Sequence, residues 1–386
     1  MRTGGLDAEM RQVRGSLNVL MISGSYPPVD DGISQHPIHL IALLKDYPEL
    51  EFKVLTSTDA RSDQFSLPRV ATWTLAGYAT IKQAIREIKP DVIHLEFPSS
   101  KYGRKVFINF LPWLLRLQFP QIPVLLTIHE YHDASWLGRL RVLLTVLGAT
   151  KTVVSNQEDY DGLKRLAPFK SIVIIPIASN IAVVHFAPAE LDSLRRKYDL
   201  AGKRVVFHWG VLDAMKGIDK LLDSVKDWPE DTKLVIGAKF RPEDTYHQRL
   251  ADRIKTTGGR VVWIDFPSDR DISAFTQIAW AVALPYEKPT SLRRGTMLCT
   301  LAHGQPAIIT GPVRPPLRHR LNCYVIQPNS PDQIAEAVNA LLSDPKLAKL
   351  IRENARTLAK HFSWQQVVKQ YYDNYQDLAG SGPPGA

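Results

Sequence analysis

The sequence has 386 residues, about twice what one compact domain needs, which sets the expectation at two domains, each long enough to bury its own core. Hydrophobic residues make up 45% and charged residues 23%, which excludes a disordered or fibrous chain; the two cysteines, Cys299 and Cys323, exclude a disulfide framework or a Cys-rich zinc site and point to a reducing compartment. Lys and Arg outnumber Asp and Glu by 48 to 39, and the resulting charge of +9 suits an anionic partner (a nucleotide, a nucleic acid or an acidic membrane surface) without choosing among them.

Residues 1–15 carry charges where a signal peptide places its apolar region, so 1–16 reads as a flexible tail. The longest apolar stretches, such as 106–115 and 142–148, fall short of the ~20 residues that cross a bilayer. The expectation is a cytoplasmic protein, at most peripheral at the inner face of a membrane.

From residue 17 onward, short β-branched runs alternate with helical patterns: LNVLMISG at 17–24, FKVLTS at 52–57, DVIHLEF at 91–97, PVLLTIHE at 123–130, KTVVSN at 151–156 and SIVIIP at 171–176. Near-continuous apolar runs of this kind are those of parallel strands covered on both faces. After a break near 177–190, a second series follows: RVVFHWG at 204–210, KLVIGA at 233–238, RVVWIDF at 260–266, WAVALPY at 280–286, PAIITG at 306–311 and NCYVIQP at 322–328. Residues 331–378 read as nearly uninterrupted helix. The predicted architecture is α/β: two Rossmann-like domains, 17–180 and 181–363, with 364–386 as a terminal helix and a frayed tail.

Ligands of open parallel sheets bind beyond the carboxyl ends of the strands, so the strand-to-helix junctions carry the candidate site. At the first, SYPPVDDGISQHPIHLIALL, two prolines stiffen the exit, Gly32 allows close backbone approach, and an apolar helical face follows from Ile38. In FHWGVLDAMKGIDKLLDSV, Lys216 precedes an amphipathic helix, where its ammonium can neutralise a diphosphate. In LPYEKPTSLRRGTMLCTLAHGQPAIITG, Arg293 or Arg294 and the amides of Gly295 and Thr296 can hold the same anion, with Glu287 or Ser291 on sugar hydroxyls. TIHEYHD, at a strand end, offers His129, Glu130, His132 and Asp133 for proton handling or acceptor orientation. HEYH lacks the HExxH spacing of a zinc helix, and no metal or other cofactor is expected. Each feature also has a plainer explanation: an ordinary turn at Gly32, a solvated lysine or arginine pair, a histidine satisfied inside the fold.

Together, YPPVDDGIS, FHWGVLDAMKGIDKLL, LAHGQPAIITG and the ending NCYVIQPNSPDQIAEAVNALLSDPKLAKLIRENARTLAKHFSW, in this order, resemble a family 4-type glycosyltransferase of the two-Rossmann, glycosyltransferase-B fold. The resemblance covers nearly the whole chain. It implies domains facing a central cleft, and metal-independent, retaining transfer of a sugar from a nucleotide-diphosphate donor, of the hexosyltransferase type. It makes Gly32 the glycine facing the donor diphosphate, Lys216 the cationic clamp and His129 the histidine beside the donor sugar. It also implies that 362–378 crosses back onto the first domain, forming a hinge whose closure excludes water. Two departures stand out. Aligned on Ala302, Gly304 and Pro306, the two glutamates common in the family are replaced by Ser291 and Cys299; and Val211, rather than arginine, follows Gly210.

The segment 101–119 mixes basic residues with Phe107, Phe110, Trp113 and Phe119, suiting either a core helix with basic edges or contact with an anionic membrane. The acceptor expected is a sugar, a lipid-linked molecule or another small molecule; 60–78 and 131–141 are its expected surroundings, and Asp265 and Phe266 those of the base. No nucleic-acid module is visible. Two rivals stay open, a nucleotide-sugar epimerase and a catalytically silent sugar- or protein-binding relative; a dinucleotide oxidoreductase is disfavoured by the lack of a strand-linked GxGxxG.

Overall fold

The structure is a computed structural model that describes residues 16–27, 32–60, 69–132, 134–265 and 267–380. Residues 1–15 of the expected N-terminal tail, Asp133, Phe266 and the last six residues lie outside them, as do 61–68 of the expected acceptor region. The chain divides into two compact units, Met1–Ile177 with Trp364–Ala386, and Ala178–Ser363.

In chain order the first unit contains β1 (Leu17–Ile22), α1 (Gly32–Leu44), β2 (Leu50–Leu55), α2 (Tyr78–Ile88), β3 (Val92–Phe97), α3 (Phe107–Gln118), β4 (Val124–Ile128), α4 (Trp136–Gly148), β5 (Lys151–Val154), α5 (Gln157–Leu166) and β6 (Ser171–Ile174). The second contains α6 (Pro188–Lys197), β7 (Arg204–Trp209), α7 (Ile218–Ser224), β8 (Thr232–Gly237), α8 (Thr245–Lys255), β9 (Val261–Ile264), α9 (Asp269–Ile278), β10 (Ala281–Leu284), α10 (Gly295–Ala302), β11 (Ala307–Thr310), β12 (Tyr324–Ile326), α11 (Pro331–Ser343) and α12 (Pro345–Ala359). The chain then returns to the first unit as α13 (Trp364–Gly380).

Every strand pairing is parallel, in the orders β2-β1-β3-β4-β5-β6 and β12-β11-β10-β7-β8-β9. Burial explains the apolar runs. On β7, Val206 packs with Ile334 and Ile351 of α11 and α12, whereas its neighbours Val205 and Phe207 pack with Phe275 and Met297 of α9 and α10 on the opposite face. Both faces are therefore covered, and alternation disappears from the sequence. Each sheet grows first to one side of its first strand and then to the other, so the chain reverses beside β1 and β3 in one unit and beside β7 and β10 in the other. Those are the points where open α/β sheets present their ligand crevices.

Two elements depart from the sequence pattern. The first helix begins at Gly32, six residues before the apolar face expected from Ile38, and accommodates Pro37 within it. On α13, Val368, Tyr371 and Tyr375, spaced by three and four residues, are buried on one face, whereas Trp364 is only partly buried and stacks on His39 at 5.1 Å.

Candidate functional site

In the second unit the site grows from the ends of β7 and β10. Beyond β7, Gly210 takes φ +130° and the chain enters the 3-10 turn Ala214–Lys216. Gly217 closes that turn at φ +69°, and a Cβ there would lie 1.9 Å from the Pro285 carbonyl oxygen, so only glycine lets the turn sit against the chain leaving β10. The Glu287 amide donates to the Met215 carbonyl at 3.0 Å, tying the two loops together.

This seating brings Lys216 to the ring of the buried Tyr286, with Nζ 4.8 Å from its centroid, while the Arg294 guanidinium lies 5.0 Å from the same centroid. The Tyr286 hydroxyl meets Thr296 Oγ1 at 2.5 Å, fixing the ring against the start of α10. Burial, and then the charge of Arg294, lower the Lys216 pKa, with Asp213 opposing. Among the described residues neither Lys216 nor Arg294 has an ion-pair partner. Two cations crowd one half-buried spot, and an anion there would relieve both.

The start of α10 adds to the same field. Helices α4, α5, α8, α9 and α11 are capped by the side chains of Ser135, Asn156, Asp244, Ser268 and Ser330, but α10 starts after Arg294 with no side-chain cap. The amides of Gly295 and Thr296 are thus left as donors at the positive end of the helix. Ser291 and Arg293 lie in the turn just before, the Ser291 carbonyl accepting from the Arg294 amide. Cys299, in contrast, is fully buried on α10, its thiol pushed up to about 12 by burial, too deep to touch a ligand. Next to Gly210 opens a cavity of about 250 Å³ lined by Trp209, Leu212, Gly237, Lys239 and His247. Asp265, expected near a base, accepts from the Phe240 amide through its carboxylate at 2.7 Å.

In the first unit, His129 follows β4, and of the three described groups offered by TIHEYHD (His129, Glu130 and His132) it alone joins a buried cluster. Glu130 and His132 are exposed, and the His132 amide donates to Asp159. His129 Nε2 lies 2.5 Å from Glu96 Oε2 of β3, a carboxylate with no exposure. Glu96 Oε1 is 3.3 Å from His36 Nδ1 of α1 and 3.3 Å from His94 Nε2 of β3. Burial pushes the Glu96 pKa up, but His36, His129 and His94 outweigh it and hold the carboxyl well below its usual range. His94 is itself held by Thr127 Oγ1 (2.7 Å) and the Tyr375 hydroxyl (2.8 Å), and the Tyr371 hydroxyl closes the network on Thr127 at 3.0 Å. Gly32 is the first residue of α1 rather than a loop glycine.

His36, Glu96 and His129 offer ligand atoms within 4.8 Å of one another, the one group among the described residues with a donor set for a metal. The sequence could not reveal it, because its members come from α1, β3 and β4. His36, His94 and Glu96 were all missed at that level. The available signal was His94 and Glu96 at i and i+2 in an otherwise apolar strand, which puts both on one face of a buried sheet.

Residues 192–358 match the family model described as glycosyl transferases group 1. Over 94% of its length the chain is 23% identical to an uncharacterized glycosyltransferase, MJ1178, of Methanocaldococcus jannaschii, of which it covers 99%. It is 22% identical over 65% of its length to the O-antigen chain mannosyltransferase B of Escherichia coli, covering 63% of that protein. In structure it is similar to Anabaena Alr3699/HepE, solved in complex with UDP, with a TM-score of 0.73 and 18% identity over 94% of this chain and all of that one. The chain has the two-Rossmann, GT-B fold, and its second unit carries a glycosyl transferases group 1 domain.

Proposed function

We propose that this chain is a metal-independent, family 4-type glycosyltransferase that moves a hexosyl group from a nucleoside-diphosphate donor to an acceptor hydroxyl with retention of anomeric configuration. The observation that carries this reading is the pair of cations, Lys216 and Arg294, that meet around Tyr286 at an uncapped helix start with no ion-pair partner among the described residues. In transfer the bond from the anomeric carbon to the diphosphate oxygen breaks, and its electron pair leaves with the diphosphate. Cations and amides already aimed at that charge stabilise it by several kcal/mol without reorganising. Lys216 and Arg294, with Arg293, Gly295 and Thr296, take the diphosphate; Glu287 and Ser291 take sugar hydroxyls; His129 stands beside the donor sugar, and the backbone at Gly32 faces the phosphates. The UDP held by Alr3699/HepE makes uridine donors the first to test.

A lipid-linked acceptor is supported by the first unit's surface. On α3, Phe110, Trp113 and Leu117 are exposed along one stripe, and on α4, packed against it through the Trp113 indole and the Leu144 carbonyl, Trp136, Leu137 and Leu140 are exposed, with Arg104 and Lys105 nearby. Aromatic residues rimmed by cations suit a peripheral site on an anionic membrane of the cytoplasm. No helix among the described residues is long and apolar enough to cross a membrane.

A second reading, a catalytically silent relative, is favoured by Ser291 and the buried Cys299 standing where the family carries glutamates. Incubation with UDP-, GDP- and ADP-sugars, with and without acceptor extracts, separates the readings. Transfer that Lys216→Ala sharply lowers supports the enzyme; binding without turnover supports the silent relative; and an altered sugar released without acceptor indicates an epimerase.

A further inference from the structure

Glu96 is a carboxylate in the middle of the first unit with no exposure, and the ionisable side chains beside it are three histidines rather than a lysine or arginine. Burying a charge is costly unless it is hydrogen-bonded and paired, so its placement needs a reason. The shortest of its contacts is to His129, at 2.5 Å, and His129 is the most exposed member of the cluster, at 12% against 6% for His36.

The hydrogen bond has a defined direction. A carboxylate held ionised can only accept, so the shared proton sits on His129 Nε2. When the ring carries that one proton alone, Nδ1 keeps its lone pair, and among the described residues Nδ1 makes no hydrogen bond. The His36 ring stands edge-on to that of His129 at 5.1 Å and 72°, hindering rotation of the imidazole. Behind Glu96, His94 is pinned at both nitrogens by Thr127 and Tyr375, so the carboxylate has a rigid backing.

We propose that Glu96 is a positioning residue that locks His129 in its Nε2–H tautomer, so that Nδ1 is presented as a hydrogen-bond acceptor to a hydroxyl of the bound sugar. This rests on the reading of His129 as the sugar-side residue of a glycosyltransferase. Glu96 itself is too deep to touch substrate and acts through the imidazole. The same atoms could be read as metal ligands, but two ligands of a tetrahedral zinc lie about 3.4 Å apart when each bond is ~2.1 Å long, whereas Glu96 Oε2 and His129 Nε2 are already joined at 2.5 Å.

The test begins with the wild-type chain, labelled with ¹⁵N-histidine and dialysed against EDTA. Two-bond ¹H–¹⁵N spectra at neutral pH, assigned with His129→Gln, report which ring nitrogen is protonated. The expected result is a protonated Nε2 and a bare Nδ1, giving way to a mixture of tautomers in Glu96→Gln, whose amide can donate as well as accept. A bare Nε2 in the wild type overturns the proposal, as does stoichiometric Zn²⁺ binding that shifts the His36 and His129 signals together. The second arm is kinetic. With any donor that supports transfer, Glu96→Gln is expected to lower kcat by about 10²- to 10⁴-fold, the range for losing a correctly oriented proton-handling group, and to cost no more than about threefold once His129→Ala is present. A full, additive loss in the double variant means that Glu96 acts independently of His129 and contradicts the proposal. The spectra need no turnover, so a locked tautomer in a chain without transferase activity would overturn the proposed function and leave the dyad standing.

Discussion

Acidification tests the electrostatics of the second unit at one residue. His208 lies on β7 with no exposure, its Nδ1 2.7 Å from the Ala283 carbonyl and its Nε2 without a hydrogen-bond partner. Burial lowers its pKa from 6.5 to about 4; the Ala283 carbonyl opposes this, Lys216 adds to it and Asp213 opposes it. Between those values the unfolded chain binds a proton that the folded chain refuses, so stability falls as pH drops from 6.5 towards 4. At about 1.36 kcal/mol per pH unit, the whole window is worth about 3 kcal/mol, and about 1.4 kcal/mol is lost by pH 5.5. His208→Gln keeps a donor for the Ala283 carbonyl and does not titrate. Urea unfolding of both proteins from pH 7.5 to 4.5 should show the wild type losing about 1.4 kcal/mol more than the variant by pH 5.5, while contributions shared by the two cancel. Identical pH slopes, or a His208 ring signal that titrates near 6.5, would refute the reasoning.

Gly217→Ala forces a side chain into the left-handed region and onto the Pro285 carbonyl, so it should cost at least about 1–2 kcal/mol and displace Lys216; Gly295→Ala, with nothing within 4 Å of the new Cβ, should not lower the melting temperature, and equal stability of the two variants would count against the seating of the turn. Tyr375→Phe strands the buried His94 Nδ1, for an expected loss of about 1–3 kcal/mol in urea unfolding, and a loss below about 0.5 kcal/mol would show that the bond contributes little. Trp136→Ser with Leu140→Ser should reduce sedimentation with vesicles containing phosphatidylserine while leaving transfer to a water-soluble acceptor unchanged; undiminished vesicle binding would remove the α3–α4 surface from the account.

The two sheets were legible because a parallel strand covered on both faces writes itself as a short apolar run, and β1, β3, β4, β7 and β8 all do so. The second-unit site was legible for a related reason. Its parts come from two short stretches, 210–217 and 285–296, each the exit of a strand, so Lys216 and the pair Arg293 and Arg294 could be named, while the structure is what sets Arg294 beside Tyr286. The first-unit cluster draws His36, Glu96 and His129 from three elements and Tyr371 and Tyr375 from a helix more than 200 residues on, and no local pattern records such a meeting. The tyrosine spacing on α13 signals a packing face, while its hydroxyl contacts depend on which strands that face meets. Cys299 is the converse case: alignment set it at a ligand position, whereas its place on the inward face of α10 puts it in the core.

Isothermal titration with UDP, GDP and ADP on wild type, Lys216→Ala and Arg294→Ala tests whether Lys216 and Arg294 form a seat for a nucleoside diphosphate. One nucleotide should bind the wild type, and each substitution should weaken it by about tenfold to a hundredfold, the worth of one charge-assisted contact. Binding should also weaken at alkaline pH, beginning below the ordinary lysine value of 10.5 because the Lys216 pKa is lowered. Affinity unchanged in Lys216→Ala, or no binding of any of the three by the folded wild type, would contradict such a seat.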